Sequence, residues 1–185
     1  MMKHCFSALA LTLVAGLVAP QMRAQAIATA TGKTLAVGIA YQNIDPDYGP
    51  KRSSGIQIFA NYDFSRYVGV TAEANLQTAF SNVVFLEHTY LFGARGEYRK
   101  GRYMAYGKAL IGDATASNNS NNPGLENAPG SYPIIGLGGG LDIRLQHHIT
   151  VRAIDYEDQH WFAYHPNSLT PHMLSFGAAY RFGEQ

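Results

Sequence analysis

The sequence has a single cysteine, Cys5, so no disulfide can form within the chain. Charge is also scarce: Asp, Glu, Lys and Arg make up only 15% of the residues, while 46% are hydrophobic. A chain so poor in charge and so rich in Tyr and Phe is not an intrinsically disordered one. With 14 Lys and Arg against 13 Asp and Glu, it has no positive excess to exchange for phosphate counterions, which argues against a nucleic-acid binder. Long apolar runs are missing as well. The most apolar stretch of the later chain, between Glu126 and Asp142, carries Pro129, Pro133 and five glycines, and is too short and too hostile to helix to span a membrane as one.

The exception lies at the start. Lys3 and His4 precede an apolar run from Phe6 to Ala19, and a short polar segment then ends in Ala24-Gln25-Ala26, the small-x-small pattern of a secretory cleavage site. Residues 1–26 are therefore expected to be a cleaved signal peptide and residues 27–185 a single domain. Removal takes away Cys5, Lys3 and Arg23 but no acid, so acids outnumber bases by one in the mature chain. That chain has neither a thiolate metal site nor a thiol nucleophile.

Beyond the leader, apolar residues recur with a period of two, which is the signature of strands. From His172 to Phe182, Leu174, Phe176, Ala178, Tyr180 and Phe182 share one face, and Met173, Ser175, Gly177, Ala179 and Arg181 the other. The same alternation runs through Thr34–Asn43, Gly55–Phe64, Tyr67–Gln77, Glu87–Arg99, Arg102–Gly112 and Pro133–Leu145. In these seven segments the apolar face carries no charged residue. His148–Gln159 breaks the rule, because Asp155 and Glu157 continue the face begun by Ile149, Val151 and Ala153. A bulge near Ile154, or departure from the apolar zone by Asp155, is expected there.

The links alternate too. Ser65-Arg66, Arg99-Lys100-Gly101 and Gln146-His147 are tight, whereas Ile44–Ser54, Thr78–Leu86, Asp113–Tyr132 and His160–Pro171 are long and rich in Gly, Pro, Asn and Ser. The pattern predicts an all-β, eight-stranded antiparallel up-and-down barrel. The Asn-rich tract Asn118–Gly124 has no packing face and is expected to be mobile.

Alternation alone does not say whether the apolar face points in or out. A soluble lipocalin-like barrel hides it around a ligand, and a membrane barrel turns it toward lipid. A water-exposed wall needs abundant charge, yet the mature chain has four lysines, two of them, Lys51 and Lys100, in the links. The polar face is built from Gly, Ala, Ser, Thr, Asn and Gln with a few balanced charges, which suits a narrow, filled interior. The segments match the roughly 9–11 residues a tilted strand needs to cross a bilayer. Aromatics gather at both ends: Phe64, Tyr67, Tyr98, Tyr103, Tyr180 and Phe182 near the tight turns, and Tyr41, Phe85, Tyr132, Trp161 and Phe162 near the long loops. These are read as the two interfacial girdles.

Taken together, the leader, eight strands, short turns, long loops and closing segment Leu174-Ser175-Phe176-Gly177-Ala178-Ala179-Tyr180-Arg181-Phe182 resemble the small outer-membrane β-barrels of the OmpA/OmpX type. The resemblance spans essentially the whole mature chain and rests on architecture, not on a signature motif. It implies export to the outer membrane of a Gram-negative-type cell, contact with outer-membrane lipid and lipopolysaccharide, insertion by the barrel-assembly machinery, and a monomer with four outward loops.

Inside such a barrel the polar faces place Glu73, Arg95, Glu97, Lys108, Asp142, Arg144 and Arg152. Counted from the tight-turn end, Glu73 and Lys108 fall near mid-barrel, and Arg95, Asp142 and Arg152 somewhat lower. Unpaired charges in a low-dielectric lumen are costly, so these residues are expected to form salt bridges that close the channel; a gated ion path made by the same pairs is the sharper reading. No catalytic, metal or cofactor site is expected. His160, His165, Ser168 and His172, with Asp155, Glu157 and Asp158 nearby, carry the residue types of a lipid A-modifying barrel enzyme, but not the His-x-Ser-Asn string of the deacylases. Nor do His160, His165 and His172 fit a zinc spacing. Gly136-Leu137-Gly138-Gly139-Gly140-Leu141 lacks the last glycine of a dinucleotide fingerprint, and no helix follows it. Its glycines are read as making room for bulky lumen neighbours such as Tyr106. The expected role is structural, with the loops serving adhesion or envelope integrity.

Overall fold

The computed structural model describes residues 33–47, 52–77, 85–118, 130–162 and 168–182. The leader and the Asn-rich stretch 119–129 lie outside them. The described residues form eight strands: β1 Thr34–Asp45, β2 Ser53–Asp63, β3 Val68–Leu76, β4 Phe85–Lys100, β5 Tyr103–Asn118, β6 Gly130–Arg144, β7 Ile149–Trp161 and β8 His172–Phe182. Each pairs antiparallel with the next, and β1 pairs with β8, setting Val37 opposite Tyr180, so the sheet closes and leaves no edge.

Local chemistry makes the tight turns. Gly101 takes a φ of 61° between β4 and β5, a conformation that costs glycine nothing. Between β2 and β3 the Ser65 hydroxyl accepts the Tyr67 and Val68 amides at 3.3 and 3.1 Å, pinning the reversal.

The pleat sorts polarity with apolar side chains outward. Ile39, Phe92 and Leu137 are 56%, 61% and 61% exposed, whereas Arg95 and Arg152 are each only 1% exposed. A soluble barrel requires the opposite arrangement. On β7 the alternation is rescued by a bulge. Asp142 and Leu141 of β6 face Arg152 and Ile154, and on the other side Gly177 and Ser175 of β8 face Arg152 and Asp155. The irregularity at Ala153-Ile154 shifts the parity by one, so Asp155, Glu157, Gln159 and Trp161 all turn inward and are buried.

Two features differ from the sequence reading. β4, β5 and β6 run 16, 16 and 15 residues, well past a membrane crossing. Phe85 still pairs with Asn118, and Ala116 with Gly130, so Asp113–Asn118 and Gly130–Tyr132 belong to a strand extension, not to a loop. Trp161, assigned above to the outer girdle, instead points into the barrel and is fully buried. It packs with Leu91, Leu110, Ala114, Ile134 and Leu169, with Tyr132 against them. This apolar cluster caps the lumen at its long-loop end, and the Trp161 amide donates to the Leu169 carbonyl at 2.8 Å, fastening the start of the last strand pair over it.

Candidate functional site

The lumen gathers charge among the described residues. At its centre the Lys108 ammonium lies 2.7 Å from Glu73, 2.9 Å from Asp155 and 2.6 Å from Glu157, with all four side chains buried. Gln57 donates to Glu73 at 2.9 Å and accepts from Arg152 at 3.0 Å. Arg152 also reaches Asp155 at 3.4 Å and Asp142 at 3.5 Å. Below this layer Arg95 bridges Glu97 and Asp142, each at 2.8 Å.

Aromatic faces complete the packing. The Arg152 guanidinium sits 3.5 Å from the Phe59 ring centroid, and that of Arg95 3.7 Å from the Tyr106 ring, within cation–π range. Glycines make this possible. A Cβ on Gly38 would collide with the Phe59 ring, and one on Gly140 would lie 2.6 Å from the Tyr106 hydroxyl. Above the Lys108 layer the filling becomes neutral: Gln42 donates to Asn75, and Asn75 to Thr89, both at 3.0 Å, and the Trp161 indole donates to Gln159 at 3.0 Å.

Six of the seven charged residues expected inside, Glu73, Arg95, Glu97, Lys108, Asp142 and Arg152, therefore meet in one connected network. Arg144 does not. It makes no ion pair among the described residues and lines a cleft at the tight-turn mouth, because its place at the end of β6 puts it where the lumen opens. Sequence parity missed four other members. Asp155 and Glu157 were on the wrong face until the bulge turned them. Arg99, read as part of a turn, bridges Asp63 and Glu97 at 2.6 Å each, and Asp63, although on a polar face, was not counted among the pairs.

Among the described residues the rim histidines assemble no triad. His172 Nδ1 lies 3.2 Å from both Asp158 and the Tyr156 hydroxyl on the outer wall. Asp155 and Glu157 are inside the barrel, and His165 lies outside the described residues. No group of three or more metal-ligating side chains occurs among the described residues. At the loop end, Asp47, at a φ of 64°, accepts the Thr170 amide at 3.2 Å and hydroxyl at 2.6 Å. These two hydrogen bonds hold the Asp47 carboxyl below the usual carboxylate range and tie the loop after β1 to the loop before β8.

The model of the outer membrane protein beta-barrel domain matches residues 8–182. The chain belongs to that family. As a family member it is an outer-membrane β-barrel, and solved structures share its fold. The Neisserial surface protein A is 11% identical with a TM-score of 0.57, the match covering 82% of this chain and 96% of that one. OprG from Pseudomonas aeruginosa is 12% identical with a TM-score of 0.54, over 83% and 97%. No curated protein matches the sequence. At such identities the likeness to the solved barrels is one of fold alone.

Proposed function

We propose that this outer-membrane barrel is a structural, surface-displaying protein whose lumen is closed by its own side chains and whose four long loops do its work outside, in adhesion or envelope integrity. The observation that carries this reading is the double closure of the interior. A three-carboxylate cage around Lys108 fills the middle, and the Trp161 cluster caps the long-loop end. A passage through the barrel has to break both. Residues 1–26 serve as the export signal, the barrel-assembly machinery inserts the mature chain as a monomer, and outer-membrane lipid and lipopolysaccharide surround it.

The test combines three measurements on the expressed chain. Outer-membrane fractionation with a heat-dependent shift in gel migration is expected, as is a mature amino terminus at Ile27. In planar bilayers the native chain is expected to give no sustained conductance, and E73A/K108A no more than the native chain. Steady current through the native barrel, increased in E73A/K108A, would replace the closed plug by a gated ion path. Recovery in the periplasmic fraction without detergent would overturn the reading altogether.

A further inference from the structure

The tight-turn mouth carries an imbalance that the lumen network does not explain. Arg99, Arg102, Arg144 and Arg181 line one open cleft there, together with Asp142 and Thr150. Each carboxylate nearby already holds a guanidinium, although Asp63 Oδ1 and Asp142 Oδ1 have no hydrogen-bond partner. Glu97 is held by Arg95 and Arg99, and Asp142 by Arg95 and Arg152. Asp63 is bound by Arg99 at 2.6 Å and forms a looser ion pair with Arg181 at 4.0 Å, too long for a hydrogen bond. Neither Arg102 nor Arg144 has an ion-pair partner among the described residues.

Two donors in this cleft are buried without acceptors. Arg181 and Thr150 are each only 4% exposed, both line the cleft, and neither the Arg181 Nη2 nor the Thr150 Oγ1 has a hydrogen-bond partner. Buried donors left unmet cost free energy, and a surplus of guanidinium around them selects an acceptor that is also negative. Guanidinium forks beside a hydroxyl are suited to a tetrahedral oxyanion, which offers several acceptor oxygens at once.

We propose that the tight-turn mouth is a binding site for one phosphate-class oxyanion, held by Arg144 and Arg181 with Thr150 donating and Arg102 at the entrance. The phosphate is that of a free ion or that of an anionic phospholipid headgroup, since the girdle residue Tyr103 lines the same cleft.

The test uses the whole mature chain folded in a phosphate-free maltoside detergent. Inorganic phosphate is titrated and followed by phosphorus NMR line broadening. Saturable binding is expected, weakened at least about tenfold in R144Q and in R181Q. Arg144 is only half-buried and unpaired, so R144Q keeps the test decisive if R181Q fails to fold. R66Q removes a charge from the β2–β3 turn outside the cleft, and it is expected to bind phosphate as the native chain does. A parallel arm places the chain in galactolipid vesicles with and without phosphatidylglycerol and reads an Arg144-dependent rise in unfolding midpoint. Saturation by inorganic phosphate identifies a free anion as ligand, and a response to phosphatidylglycerol alone identifies the headgroup. Either supports the site. Absence of a response in both arms, or equal losses in R66Q and R144Q, overturns it.

Discussion

Replacing Lys108 with methionine keeps most of the side chain's unbranched length and removes its charge. The ammonium lies within 2.9 Å of oxygens from Glu73, Asp155 and Glu157, so any two of those oxygens are within about 5.6 Å of each other, where an effective dielectric near 20 gives about 3 kcal/mol of repulsion per ionised pair. Three such pairs do not persist unrelieved. Arg152 remains 3.4 Å from Asp155 and 4.0 Å from Glu73, and protonation or water entry relieves part of the rest. The expected net loss is about 3 to 5 kcal/mol, that of a buried ion pair deprived of one partner. It is measured as the shift in urea midpoint of the refolded barrel, with the heat-modifiable gel band reporting the folded fraction. K108M/E157Q, with one carboxylate fewer, is expected to recover about 1 to 2 kcal/mol through the coupling of neighbouring sites. A K108M barrel within about 1 kcal/mol of the native one would refute the cage as an organising element of the lumen.

Further outcomes follow from the same geometry. L137R places a guanidinium on the lipid face near mid-barrel and is expected to cost about 2 to 4 kcal/mol in lipid vesicles; a neutral result would contradict the outward orientation. Deleting Ala153 removes the extra residue of the bulge and leaves Arg152, Ile154 and Asp155 in regular alternation, with Asp155, Glu157 and Trp161 still inward, so the variant is expected to keep its heat-modifiable band; loss of the band would contradict the bulge. The arginines of β4 and β6 differ in height: R95M is expected to cost about 3 to 5 kcal/mol and R144Q, measured without phosphate, less than about 0.5 kcal/mol. For Asp47 the folded pKa lies below the ordinary value of 3.8, so its latch to Thr170 is present at neutral pH and is lost only as pH falls through that lowered value. The Thr170 amide resonance is expected to titrate below pH 3.8 and to be pH-independent in D47N.

Much of this fold was legible because the period of a strand is fixed at two, while lipid tolerates no charge on the outer face. Ile39, Phe92 and Leu137 could be placed from their neighbours alone. Parity failed where the backbone stops being regular. Asp155 and Glu157 follow an extra residue, so their side depends on the Ala153-Ile154 irregularity; charge on an apolar face points to a bulge near Ile154, but equally to departure from the apolar zone, and alternation alone does not choose between them. Height along the barrel is harder still. Arg95 and Arg144 obey the same alternation, yet one is sealed between Glu97 and Asp142 and the other faces the mouth, because only the register between strands fixes how deep a residue sits. Trp161 reads as an interfacial anchor by type and position. The shifted parity of β7 sends it inward instead, where Leu91, Leu110 and Ile134 offer an apolar pocket that no single strand reveals. The strand extensions were hidden for another reason: Asp113–Asn118 has the polarity of a loop, and only pairing with β4 makes it a strand.

The lumen charges are not distributed evenly along the axis. Around Lys108 acids prevail, with Glu73, Asp155 and Glu157 facing one ammonium and the nearby Arg152. At the tight-turn mouth bases prevail, with Arg99, Arg102, Arg144 and Arg181 around Asp63. An excess of carboxylate in a narrow, low-dielectric tube is stabilised by opposite charge further along the same tube, since the field there is poorly screened. The same displacement leaves the mouth positive toward solvent, which is the condition for holding an anion. The proposed closure at the centre and the proposed affinity at the mouth thus rest on one arrangement of charge.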